Sequence, residues 1–194
     1  MGTISTVTIG TDTFSVYALT ADPNADATSF HNLRLGVGPA AWLAAVATPD
    51  DQNRALVMAS DWIDRSMEFT GTKTVAAQDR EWPRDGATCG DDTVADGTTP
   101  DELAWATFWL AGQILADTSL ADGEGTGSNV KSAKAGTAKV EFFSGTDGVR
   151  LPTTAWDYVA CFADSGSLSG GTATGTDCDS AFSESDYERN QPWA

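Results

Sequence analysis

His31 is the chain's single histidine. Without a second imidazole there is no histidine pair for zinc and no Cys-His arrangement, so His31 reads as an ordinary helix residue. Cys89, Cys161 and Cys178 are odd in number, far apart and free of any CxxC spacing. They read as unpaired thiols, core or loop residues of a reducing compartment. Asp50-Asp51 is a carboxylate pair explained by a helix N-terminus. Asp91, Asp92 and Asp96 lie in a solvated loop, where a weak calcium site is the alternative; their spacing does not give the oxygen-rich loop of a calcium hand. Gly123-Glu-Gly125-Thr-Gly127 is glycine-rich but acidic, and no Lys-Ser/Thr pair follows it. Phosphate would be repelled there, so it reads as a linker. There is no Gly-x-Ser-x-Gly elbow. The chemistry expected of these residues is therefore not catalytic, with no cofactor and no metal.

Charge narrows the partners. The 194 residues carry 28 Asp+Glu against 11 Lys+Arg, a formal charge of −17. A chain so acidic is poorly suited to wrap duplex nucleic acid or to dock on an anionic membrane, since both depend on Lys and Arg. The excess is mostly Asp, which fits a high-salt habitat or a GC-rich genome; neither bears on fold. The apolar share of 41% excludes a wholly disordered acidic chain. No apolar run is long enough to span a membrane. The first residues, MGTISTVTIGTDT, lack the blocks of a signal peptide, so none is expected.

The elements follow from periodicity. Val7 and Ile9, a Gly10-Thr-Asp12 turn, then Phe14, Val16 and Ala18 predict a β-hairpin. Asp22-Pro23 opens a helix reaching about Leu35, with Phe30 and Leu33 on its inner face. A second short helix runs from about Pro39 to Ala47, with Trp42, Leu43 and Val46 apolar. Thr48 as N-cap, Pro49, and Asp50-Asp51 at the positive end of the dipole start the clearest helix, expected to reach Glu68. Its stripe is Leu56, Ala59, Ile63 and Met67, widened by Val57 and Trp62.

Residues 70–99 predict a long irregular connection, which needs a pin or a function. Trp82-Pro83 is the expected pin: the indole fills a pocket between the two long helices, while Arg84 pairs with a helix carboxylate, Asp61 or Asp64. The next helix opens at a capping box, Thr99-Pro-Asp-Glu102, and runs to about Asp117. It is apolar on most sides and so is central, or also faces another subunit.

Residues 118–129 read as a flexible linker and 130–150 as an extended arm, whose residues 130–143 alternate weakly as a strand. A short helix starts at Pro152. Residues 164–194 are a Gly/Ser/Asp-rich tail that a partner must order, with Phe182, Tyr187 and Trp193 as anchors. The predicted architecture is thus mainly α: a small helical bundle over 1–163 with an N-terminal β-hairpin and a C-terminal strand or arm, then a long irregular tail.

The run RALVMASDWIDRSMEFTGTKTVAAQDREWPRDG resembles the tailed-phage head–tail connector, or adaptor, proteins, often labelled DnaT-like ssDNA-binding proteins. The matching positions are Ala55, Leu56, Ala59, Asp64, Arg65, Gly71, Lys73, Gln78, Trp82, Pro83, Arg84 and Gly86. The hairpin leading into ATSFHNLRLGVGPAAWLAA and the segment VKSAKAGTAKVEFF follow the family's layout, so the likeness spans roughly residues 5–163. Before Trp82 the family tends to be apolar; Asp79-Arg80-Glu81 departs from that and implies a less tightly packed loop.

The resemblance implies a structural virion protein of the neck, assembled in the host cytoplasm as a ring, typically of twelve copies. The ring joins the DNA-filled head to the tail and contacts the portal and a tail-side protein (stopper or tail terminator). It lets genomic DNA pass without specific binding and touches no membrane. It also implies that the arm, with Val130, Lys131, Lys134, Lys139, Val140, Phe142 and Phe143, engages the portal. Alternatives are an arm strand paired with the chain's own hairpin, or lysines on passing DNA. The alternative for the whole protein is a single-stranded-DNA-binding replication protein, or another virion interaction module.

Overall fold

A computed structural model describes residues 1–118 and 151–164, and the backbone alone of 132–135 and 138–141. The fold is mainly α. Strands β1 (Thr3–Ile9) and β2 (Asp12–Ala18) form the expected antiparallel hairpin, with Ile9 opposite Asp12. Gly10 supplies the positive φ, 63°, that the tight turn needs. Val7 and Val16 point into the core, but Tyr17 and Ala18 are buried as well, and Phe14 is 38% exposed. The end of β2 is covered on both sides, so strict alternation stops there.

Helix α1 (Pro23–Asn32) starts at a true cap: Asp22 accepts from the Ala25 N–H at 3.0 Å. It ends before Leu33, which is 84% exposed rather than on the inner face. Helix α2 (Val37–Ala44) continues into a 3-10 turn, Ala45–Ala47. It buries Gly38, Pro39 and Trp42, while Leu43 and Val46 face outward.

Helix α3 (Pro49–Ser66) buries the expected stripe of Leu56, Ala59 and Ile63, with Met67 just beyond its end. Thr48 precedes it, but its hydroxyl donates back to Ala45 O at 3.1 Å and does not cap α3. Helix α4 (Asp101–Ala116) is preceded by Pro100, and the capping box does not form: Thr99 is buried one residue too early. Instead Thr99 pairs with Gly2 in an isolated β-bridge.

Helix α4 is the centre, with α2, α3 and α5 (Thr153–Val159) packed on it and α1 and β2 reaching it. Glycines allow α2 to cross it closely. A Cβ on Gly112 would stand 2.6 Å from His31 Cε1 and 3.1 Å from the Gly38 carbonyl carbon. No helix among the described residues is long and apolar enough to cross a membrane.

The connection at 70–99 is not structureless. It folds as β3 (Thr72–Lys73) on β4 (Arg84–Asp85) and β5 (Thr88–Cys89) on β6 (Asp92–Thr93). The arm differs from a single strand: β7 (Ser132–Ala135) and β8 (Ala138–Glu141) pair antiparallel with each other.

Candidate interaction surfaces

The loop anchor is built from α3, β2 and the turn before Trp82. Trp82 is fully buried, and its peptide bond to Pro83 is cis. The ring meets Phe69 at 5.9 Å and Phe162 at 5.5 Å, both edge-on. Its aromatic partners therefore sit just past the ends of α3 and α5 rather than on the two long helices themselves.

The expected Arg84 pairing is corrected. Arg84 spends its donors on Thr70 O, Gly71 O and Phe69 O, and on Glu81 at 2.9 Å. The residue that takes Asp61 and Asp64 is Arg80, which also donates to Ser15 O. Arg80 was hidden in the triplet expected to loosen the loop. In fact Asp79 accepts from Ser15 Oγ at 3.1 Å, and Glu81 holds both Lys73 and Arg84 at 2.9 Å. Charge replaces apolar packing there because each charged group meets an opposite or hydrogen-bonding partner.

Tyr17 donates its phenolic proton to Asp64 beneath this cluster. Burial, then the Asp64 charge, keeps the phenol protonated well above its ordinary range. Burial also raises Asp64, opposed by the Tyr17 bond and by Arg80. The cluster is buried at Tyr17 and Arg80 and largely so at Asp64, opens to solvent at Asp61, and joins three elements.

The cysteine expectation is overturned. Cys89 and Cys161 form a disulfide across 72 residues, tying β5 to the turn after α5. Spacing along the chain carried no sign of this, because the fold alone brings the two residues together. Cys178 lies outside the described residues. Asp96 accepts from the Gly86 N–H at 2.7 Å, so it closes its own loop, while Asp91 and Asp92 are exposed. Among the described residues no group of three or more His, Cys, Asp or Glu is arranged to hold a metal.

His31 lies in helix α1, as expected, and is buried there. It is 1% exposed, stacks on Trp42 at 5.3 Å and lies 2.9 Å from Phe108 O through Nε2. Burial drives its pKa down to about 4, the Phe108 carbonyl opposing and Arg34 assisting.

The described cations are nearly all committed. Arg54 pairs with Asp51, Arg65 with Asp61, Lys73 with Glu81, Arg80 with Asp61 and Asp64, and Arg84 with Glu81. Arg34 instead lies over the Phe30 ring, 3.5 Å from its centroid.

In the arm, Lys134 and Lys139 occupy opposed register positions of β7 and β8, and Val140 is opposite Ala133. Val130, Lys131, Phe142 and Phe143, and the tail residues Phe182, Tyr187 and Trp193, lie outside the described residues, as does the 119–129 stretch of the expected linker.

A family model described as "Putative DnaT-like ssDNA binding protein" matches residues 21–168. The match covers well over half of the chain, so the protein belongs to this DnaT-like family. It begins after the β1–β2 hairpin and runs through α5. No curated protein and no solved structure matches the chain.

Proposed function

We propose that this protein is a non-enzymatic structural component of a virion: a head–tail connector, ringed below the portal, that joins the DNA-filled head to the tail and lines the DNA exit channel. The observation that carries the reading is electrostatic. In a chain of net −17, five of the described cations are held by carboxylates. A surface of that kind lets DNA slide past without sticking; twelve copies would give the ring about −200 formal charges. Assembly in the host cytoplasm would keep Cys89 and Cys161 reduced until the particle leaves the cell.

The arm is the proposed portal contact. Lys134 and Lys139 occupy opposed register positions, and a segment carrying three of the chain's four lysines suits an acidic partner. The experiment is imaging of assembled particles. A closed ring of this chain against the portal is the expected result; its absence from necks overturns the reading. Replacing Lys131, Lys134 and Lys139 with Glu should leave rings that fail to attach to filled heads. Normal attachment at low and high salt would reject the portal assignment.

The second reading, a single-strand binder, draws on the family description and on the half-buried aromatics Trp105, Trp109, Trp156 and Tyr158, whose faces could stack on bases. It lacks a cationic groove among the described residues to follow the backbone. A gel shift with an oligothymidine at low salt decides: tight binding would reverse the order of the two readings.

A further inference from the structure

The surface with least explanation is apolar. Residues 35–49 contain no charged side chain in this strongly acidic protein. Leu33 is 84% exposed, Leu35 101%, Val37 71%, Val46 53% and Leu43 38%. Helix α2 turns Gly38, Pro39 and Trp42 inward. Its outward positions Val37, Ala40 and Ala44 recur at helical spacing, with Leu43 beside them and all of them exposed. Helix α2 has 8 residues and is about 12 Å long, so the side chains at its two ends belong to one surface.

The five large side chains leave on the order of 500 Å² of apolar surface in water, at the upper end of what a soluble monomer exposes in one patch. That is a large part of the ~800 Å² each partner contributes to a standard interface.

We propose that this α1–α2 ridge is where a second copy of the chain docks, which names the lateral contact of the ring and rests on the connector reading. Charge selects the occupant. Two copies at −17 each repel, and they approach at least cost through a patch without carboxylates. Arg34 sits in the middle of the exposed run Leu33–Val37. Among the described residues it is the one Lys or Arg side chain with no carboxylate partner. Its guanidinium is held on Phe30, donating to Phe30 O at 2.9 Å, and stays exposed. A single carboxylate at the rim of the neighbour's contacting face is its complement, and a chain with 28 Asp+Glu supplies one readily.

The test is sedimentation velocity of the full chain over a concentration series, wild type against Leu35→Glu/Val37→Glu and against Arg34→Glu. The wild type should associate, and the association should hold or tighten with added salt as like-charge repulsion is screened. The double variant should sediment as a monomer, at least ~100-fold weaker in association, with unchanged circular dichroism and melting, because the mutated side chains are already in water. Arg34→Glu should weaken assembly less.

A wild type monomeric at every concentration, or a double variant that assembles normally, overturns the proposal. The two readings fail separately. Necks built normally from the double variant remove the ridge and leave the connector. A chain that self-associates through the ridge but is absent from necks removes the connector and leaves the ridge.

Discussion

Arg80 Nη1 lies 3.2 Å from Asp64 Oδ2, and the same guanidinium holds Asp61 and the Ser15 carbonyl. One side chain thereby joins the 70–99 connection to α3 and to β2. Its side chain is 7% exposed and that of Asp64 13%, so the pair is largely out of water.

Removing one partner of such a pair strands the other. Arg80→Met should destabilise the protein by about 3 kcal/mol. Arg80→Lys should recover only part of this, since an ammonium cannot present the planar fork that reaches both carboxylates and Ser15 O. Urea unfolding measures both; an unchanged midpoint for Arg80→Met would show the cluster to be ornamental.

Trp82→Ala should cost about 3–5 kcal/mol, because it empties a fully buried site between Phe69 and Phe162. Trp82→Phe should cost much less. Trp82 Nε1 is buried without an acceptor among the described residues, so the smaller ring loses volume but no hydrogen bond. Equal losses in the two variants would contradict this.

The disulfide closes a loop of 72 residues in sequence separation. Cys89→Ser should lower stability by about 4 kcal/mol on the chain-entropy account. Cys161 is exposed, so a reductant reaches the bridge. Dithiothreitol should lower the melting temperature of the wild type to that of the variant and leave the variant unmoved.

His31 makes stability depend on pH. Its folded pKa, about 4, is below the ordinary 6.5, chiefly through burial. Between those values the unfolded chain binds a proton that the fold refuses, so stability falls as pH drops from 6.5 toward 4, by about 3 kcal/mol in all. Asp64, raised above its ordinary value, acts in the opposite sense in the acid range. The difference between wild type and His31→Leu cancels that contribution. It should slope between pH 6.5 and 4 and be flat above 7; a difference constant with pH would reject the assignment.

What the sequence determined by itself is local or periodic. The β1–β2 hairpin follows from alternation around Gly10, the α3 stripe from Leu56, Ala59 and Ile63, and the centrality of α4 from its apolar circumference. Each depends on residues a few positions apart, so spacing alone carries the signal. Trp82 was legible as an anchor because a tryptophan before a proline in a polar loop has little reason to be there unless it is buried.

The tertiary structure decided what distant residues do to one another. Arg80 and Arg84 sit four apart in one loop with similar local surroundings. Only the placement of α3 beside β2 gives Asp61 and Asp64 to Arg80 and leaves Arg84 to backbone carbonyls. Cys89 and Cys161 meet because α5 packs on α4 and its following turn reaches β5. His31 is buried because Gly38 and Gly112 let α2 close over it onto α4. Leu33, expected on the inner face of α1, lies just beyond its end and in water, and the side of α2 that meets α4 is taken by Gly38, Pro39 and Trp42, which leaves Leu43 outside. Apolar residues stand on both sides of α2, and the contact with its neighbour chooses between them.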